Sequence, residues 1–352
     1  MDLQQLVDKT RQSLLFTAPI LESDLTRFLA DQADHIRDLA RRAVAEQVSH
    51  VYWAGSGNSW CNLYSGKYLL DRLTDLPTDY FPSYELVWRN PTRLDHRAWV
   101  FLASYSGATE DTVAALRHAK QRGARTIALV NTADSLMGRE ADEVIPYHSP
   151  ALYILPLAAA YLFAVEVAKQ KGVAGLEKIE QDLLALPPVL GKLYVEEETR
   201  ARELAEQFVN EKLFYVLGSG PLYGLAYKFG LTVFMENMRV HGSFIETSEF
   251  RHGPAEMLEH EQPVMVFLLG TDESRAIGER VLKLAQTQGA RVITYDFADY
   301  GDLHPLLAPF VLMVPLQWFA VYSALLRGIT DLDERVYMGR GVLAQGQGVT
   351  WP

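Results

Sequence analysis

The chain of 352 residues contains one cysteine, Cys61. A disulfide framework needs pairs and a Cys-rich zinc site needs several thiolates, so both are excluded; a reducing cytoplasm is the expected compartment. Positive charge is in deficit: 33 Lys and Arg face 44 Asp and Glu, for a net charge of −11. A chain of that sign is not expected to bind nucleic acid or anionic membrane, although one local pocket can still hold an anion. Unbroken apolar runs of membrane-spanning length are missing. Ala151–Val165 is short and holds Pro156, and Leu306–Leu326 is interrupted by Pro309, Pro315 and Gln317. Each reads as a strand or loop plus a buried helix, of the kind a subunit interface would cover. The first fifteen residues carry acids early and have no apolar core, so no secretory signal is expected.

Familiar catalytic signatures are also scarce. There is no Gly-Lys-Ser/Thr pair for a nucleoside triphosphate and no Gly-x-Ser-x-Gly elbow. His96, His118, His148 and His304 stand singly, without metal-ligand spacing, so neither a metal nor a cofactor is expected. Gly55-Ser56-Gly57-Asn58-Ser59 opens like a dinucleotide fingerprint, but Trp60 stands where its third glycine belongs.

What remains is a globular composition, 49% hydrophobic and 22% charged, over a length that favours two domains. Up to Val48 the chain reads as helical arms, Glu22–Gln32 and Asp34–Gln47. From there strands and helices alternate: a strand at His50–Ala54 with a helix to Leu73, and a strand at Ala98–Ala103 with a helix to Arg122. A strand at Thr126–Val130 follows. This alternation implies parallel βαβ units. The plan recurs after Lys212. AWVFLASYSGATEDTVAALRHAKQRGARTIALV, from Ala98, matches PVMVFLLGTDESRAIGERVLKLAQTQGARVITY, from Pro263, in the order strand, loop, helix, Gly-Ala-Arg, strand. Such a repeat marks a duplicated unit. The expected division is a helical arm at 1–48, a first α/β domain at 49–172 and a linking helix at 173–210. A second α/β domain at 211–330 and a tail at 331–352 complete it.

The two copies differ at one loop. The first has Ser104, Tyr105, Ser106, Gly107 and Thr109; the second has Thr271, Asp272, Glu273 and Ser274. Hydroxyls and free N–H groups at a helix start attract an anion, whereas acids repel it. Three hydroxyls in six residues exceed what a helix cap needs. Only the first half is therefore expected to bind phosphate, through Ser59, Ser104, Ser106 and Thr109. Gly57, Asn58, Tyr105, Gly107, Glu249 and Arg340 are further contact candidates.

An acid and a histidine stand ready to act on such a ligand. Leu225, Phe229, Val233 and Glu236 are spaced for one α-helical face, which would put a carboxylate among apolar neighbours. His252 follows sixteen residues later in Glu-Phe-Arg-His-Gly-Pro, where Gly253 and Pro254 break any regular element.

With these residues in view, nearly everything after Val48 resembles the double sugar isomerase (SIS) domain family. The SxSGxT loop is Ser104–Thr109, and the family's Glu and His fall on Glu236 and His252. FMEN…IETSEFRHGP is similar to the deglycases of 6-phosphorylated sugar–amino acid conjugates such as fructoselysine 6-phosphate. It is more loosely similar to the isomerase half of glutamine–fructose-6-phosphate aminotransferase. The resemblance implies two tandem flavodoxin-like α/β domains, each three layers around a parallel sheet. It implies that Glu236 shuttles a proton between sugar C1 and C2, and that His252 assists ring opening, often from a second subunit of a dimer. The aminotransferase isomerases carry a lysine where this chain has Val233, and another in the tail, where Arg340 follows Tyr337-Met338-Gly339. No glutaminase segment precedes the repeat and Cys61 lies far from the N-terminus, so the full aminotransferase is not expected. A phosphosugar isomerase, an amino-sugar 6-phosphate deaminase and a non-enzymatic phosphosugar sensor are the other activities the family offers.

Overall fold

Two parallel sheets carry the computed structural model, which describes residues 2–260 and 262–334. The first sheet contains β1 (His50–Gly55), β2 (Thr78–Pro82), β3 (Ala98–Ser104), β4 (Arg125–Val130) and β5 (Glu143–Pro146), ordered β2-β1-β3-β4-β5. The second contains β6 (Leu213–Leu217), β7 (His241–Ile245), β8 (Val264–Leu269) and β9 (Val292–Asp296), ordered β7-β6-β8-β9. Every pairing is parallel. The four strands of the second sheet repeat the order of the first four of the other, so the sequence repeat is a repeat of topology. β1, β3 and β8 are buried along their whole length, as strands covered by helices on both faces must be. The short edge strands β2 and β5 carry too few apolar residues to show in a sequence pattern.

Helices differ from expectation in three places. After a short helix at Leu3–Thr10, the two segments expected at Glu22–Gln32 and Asp34–Gln47 form one helix, Leu21–Ala45, because nothing between Gln32 and Asp34 breaks it and Ala33 is buried like Phe28, Leu29 and Ile36. The linking segment forms two helices, Glu177–Glu196 and Glu198–Gln207, the first of which buries Leu183, Leu186, Leu190 and Leu193. The apolar segments expected at a subunit interface are core of this one chain. In Ile154–Gln170 every residue from Ile154 to Ala168 is buried, against the helices Leu21–Ala45 and Asn58–Leu73. Pro305–Leu326 is long and apolar enough to cross a membrane, yet its apolar window is wholly buried inside the fold. Neither helix needs a partner to cover it.

The segment that carries Glu236 is also unlike its expectation. Lys228–Met238 is wound as a π-helix, continuing a short α-helix at Tyr223–Tyr227. A π turn holds more residues than an α turn, so the 4, 4, 3 spacing does not keep one face. Phe229, Phe234 and Met238 point into the core, and Glu236 is exposed on this chain's surface. The helix sits directly on β7: a Cβ at Gly230 would stand 2.7 Å from the Ser243 carbonyl oxygen, and one at Gly242 would stand 2.1 Å from the Gly230 oxygen.

Candidate active site

β1 and β3 are neighbours, with Gly55 opposite Ala103, yet β1 leads on to β2 and β3 leads on to β4 on the other side. This is the switch point of a doubly wound sheet, where diverging loops leave a crevice at the strand ends. The Ser56–Ser59 and Ser104–Thr109 loops leave the sheet side by side there. The Ser56 hydroxyl donates to the Asp111 carboxylate and ties the first loop to the helix that follows the second, Glu110–Gln121.

In the second of these loops three hydroxyls converge. Ser104 Oγ lies 2.7 Å from Thr109 Oγ1, and Ser106 Oγ lies 3.5 Å from each. Ser104 is buried and its hydroxyl also accepts from the Gly107 N–H at 3.1 Å, while Ser106 and Thr109 face solvent. Thr109 is the N-cap of the helix Glu110–Gln121 but makes no side-chain cap bond. Its hydroxyl is turned toward the other two, not spent on the helix. Gly107 adopts φ +60°, and a Cβ there would meet Ser135 Oγ at 2.2 Å, so only glycine closes this turn. Tyr105 is half-buried and its carbonyl accepts from the Asn131 N–H at 3.2 Å. A hydroxyl cluster at a helix N-terminus presents donors to an anion.

On the β1 side, Gly57 takes φ +57° and Asn58 opens the helix Asn58–Leu73. Ser59 lies in its first turn, half-buried. Trp60, the residue that spoils the dinucleotide fingerprint, is structural. Its ring stacks on Tyr80 at 4.6 Å and meets Tyr227 of the other half edge-on at 4.5 Å. Cys61 is fully buried, and burial pushes its thiol up to about 12, against the pull of nearby Lys228, so it is no nucleophile.

Two residues that the sequence pattern did not single out join the halves. Lys228 Nζ donates to Asn58 Oδ1 at 2.6 Å, and Thr232 Oγ1 donates to the same oxygen at 3.3 Å. Both precede Glu236 on the π-helix. Val233 and Asn237, on either side of Glu236 in sequence, line a small cavity together with Asn58 and Lys228. The segment that carries the carboxylate is thereby fastened to the loop beside the hydroxyl cluster.

His252 is placed differently. It is exposed, its Nε2 accepts from Arg251 Nε at 3.0 Å, and no hydrogen bond joins it to Glu236. Its turn, Thr247–Arg251, packs on the helix Arg275–Thr287 of the second half. Glu249 is exposed in the same turn, and its carbonyl accepts from the His252 N–H at 2.9 Å. Glu246 is more deeply engaged. Burial pushes its carboxyl up, but donation from Ser219 and from the hydroxyl and N–H of Ser248 outweighs this and holds it below the usual range. Arg340 lies outside the described residues.

The corresponding loop of the second half carries acids, and these are already partnered. Ser274 Oγ donates to Asp272 Oδ1 at 2.8 Å, and Glu273 accepts a forked pair from Arg72 at 2.8 and 2.9 Å. Among the described residues no group of three or more His, Cys, Asp or Glu could hold a metal ion.

Known proteins share this fold. Residues 47–168 match the SIS domain model. The chain is 32% identical over 335 residues to fructoselysine 6-phosphate deglycase from Escherichia coli (strain K12), covering 95% of this chain and 98% of that protein. It is 31% identical over 320 residues to the isomerizing glutamine–fructose-6-phosphate aminotransferase of Thermus thermophilus, covering 84% of this chain but 52% of that longer protein. A crystal structure of a candidate phosphosugar isomerase from Bacillus subtilis superposes with a TM-score of 0.76 at 28% identity, covering 86% of this chain and 98% of that one. With a matching SIS model, a full-length relative above 30% identity and a duplicated parallel sheet, the chain belongs to the double-SIS phosphosugar family that includes fructoselysine 6-phosphate deglycase.

Proposed function

We propose that the protein is a deglycase of 6-phosphorylated sugar–amine conjugates of the fructosamine type. The reading is carried by one observation: the three hydroxyls of Ser104, Ser106 and Thr109 close on one point at the switch crevice, while the duplicate loop is filled with acids. A phosphate monoester fits the first loop and is repelled by the second. Ser59, with Gly57, Asn58, Tyr105 and Gly107 around it, completes the phosphate end.

The chemistry follows from the substrate class. In the open chain a ketosamine has the amine on C1 and a carbonyl at C2. Glu236 takes a proton from C1 while the C2 oxygen takes one from water, which gives an enaminol; Glu236 then returns its proton to C2 as the amine N–H is lost to water, which gives a C1 imine. Water then adds to the imine and releases sugar 6-phosphate and the amine. A single carboxylate can serve both carbons because they are bonded neighbours. His252 assists ring opening. In its own chain its side chain is engaged by Arg251; on the family pattern it serves the site of a second copy, and the active protein is a homodimer in the cytoplasm. The two sheets, with boundaries near 49–172 and 211–330, form the two domains.

The direct experiment offers purified protein fructoselysine 6-phosphate, fructose 6-phosphate and glucosamine 6-phosphate and follows amine release and sugar interconversion. Release of lysine from the first is expected. Turnover confined to the second or third would replace this reading with an isomerase or a deaminase, and binding without turnover of any would replace it with a sensor.

A further inference from the structure

On the phosphosugar reading above, we infer that Lys228 is a positioning residue that acts through Asn58. With Thr232 it fixes the Asn58 carboxamide so that the NH2 group faces the bound phosphosugar. Asn58 stands between Gly57 and Ser59 in the first loop, at the N-terminus of the helix Asn58–Leu73. Its Oδ1 accepts from Lys228 Nζ at 2.6 Å and from Thr232 Oγ1 at 3.3 Å. Only the carboxamide oxygen can accept, so two donors on one side decide which way the group faces. The oxygen is turned to the second half of the molecule. Nδ2, which has no partner among the described residues, is left to donate elsewhere.

An unrestrained carboxamide could rotate and offer its oxygen to an anionic ligand, which would repel it. Holding the oxygen removes that choice before the ligand arrives, which is preorganisation. The residue that does so is an unusual one for the place. Lys228 is 5% exposed, with its ammonium 5.3 Å from the Tyr153 ring centre and 5.8 Å from that of Phe229. Burying an ammonium is costly, and a methionine of similar length would fill the space at less expense. The same bond also sets the distance between the first loop and the π-helix, so the phosphate end and the Glu236 segment move as one piece.

A double-mutant cycle read by calorimetric binding of fructose 6-phosphate tests this, with melting temperature recorded for every variant. Lys228→Met and Asn58→Ala should each weaken binding about tenfold, the size of one hydrogen bond to a charged group. The double variant should bind no worse than Asn58→Ala alone, because the carboxamide through which Lys228 acts on the ligand is already gone. Asn58→Asp keeps the oxygen and its ammonium partner but loses the NH2, so it should keep its melting temperature and lose affinity. Where Lys228→Met fails to fold, Thr232→Val runs the same cycle with a smaller loss, leaving the ammonium in place. Unchanged affinity in Lys228→Met, or losses that add in the double variant, would overturn the positioning role while Ser106→Ala still weakened binding. A wild type that binds no phosphosugar would overturn the phosphosugar reading itself, and this role with it.

Discussion

Ser104 Oγ and Thr109 Oγ1, five positions apart in sequence, lie 2.7 Å from each other, and the link exists because Gly107 turns the backbone with φ +60°. On the proposed function this pair, with Ser106 at its mouth, is the preformed receptor for a phosphate. Ser106→Ala and Thr109→Val should therefore raise KM for a 6-phosphorylated substrate by about tenfold or more each, since a hydrogen bond to a charged group contributes roughly 1.5–3 kcal/mol. Ser274→Ala, at the equivalent point of the second half, should leave KM unchanged. Steady-state kinetics on the three variants decide it, and equal use of an unphosphorylated substrate by the wild type would count against the phosphate site.

Gly107→Ala should abolish phosphate binding for a different reason. Its Cβ would stand 2.2 Å from Ser135 Oγ, and the positive φ disfavours any side chain, so the loop must open. Loss of phosphosugar binding in a protein that otherwise melts cooperatively is the expected result.

Gly230→Ala probes the seat of the π-helix. The new methyl would meet the backbone of Ser243 and Phe244 at 2.7 Å, and backbone cannot swing aside as a side-chain end can. Overpacking of this kind costs about 1–3 kcal/mol, so chemical denaturation should give a lower midpoint, and turnover should fall as the Glu236 segment is lifted from β7. An unaltered midpoint would show that the helix sits more loosely on the strand than described.

Acid should loosen the second half through Asp296. Its carboxyl accepts from both terminal nitrogens of Arg275 at 2.8 and 2.7 Å, and this pairing holds it below the usual range. A lowered folded value means the stabilisation is complete above the unfolded value of about 3.9 and is lost as pH falls through the lower folded one. Asp296→Asn should therefore lower the melting temperature at pH 7 and narrow its gap to wild type as the pH drops below about 4. A gap that stays constant with pH would remove this pair as the cause.

Much of this was legible in the sequence because apolar strands and glycine-bounded loops leave strong local signals. The duplicated plan, the strands β1, β3, β4, β6 and β8, and the hydroxyl loop were read from such patterns. The edge strands Thr78–Pro82 and Glu143–Pro146 left no signal, being short and only partly apolar. The face of Glu236 was misread because spacing presumes α geometry. The close approach of Gly230 and Gly242, which seats the helix on the strand, leaves no mark in a hydrophobic pattern. Lys228 and Thr232 were invisible for another reason: their partner Asn58 lies 170 and 174 positions away. A lysine amid Leu-Ala-Tyr and Phe-Gly-Leu was the one clue, since a buried ammonium demands a partner. The apolar helices Ile154–Gln170 and Ala308–Leu326 show that a strongly hydrophobic helix can be core as readily as interface.

The dimer reading makes its own prediction. If His252 serves the site of a second copy, mixing inactive Glu236→Gln with inactive His252→Ala protein should restore activity as subunits exchange, because a mixed dimer holds one intact site. No recovery under conditions where exchange is demonstrated by light scattering or labelled subunits would place His252 in its own chain's site or outside catalysis.

The central claim is that Glu236 carries the proton between C1 and C2, and turnover of Glu236→Gln on fructoselysine 6-phosphate tests it most directly. The amide keeps the shape and hydrogen-bonding capacity of the acid but cannot take a proton. The expected result is a fall in kcat of about 10²–10⁴-fold with KM little changed and the melting temperature of the wild type retained. A stable Glu236→Gln protein that releases lysine at the wild-type rate would contradict it.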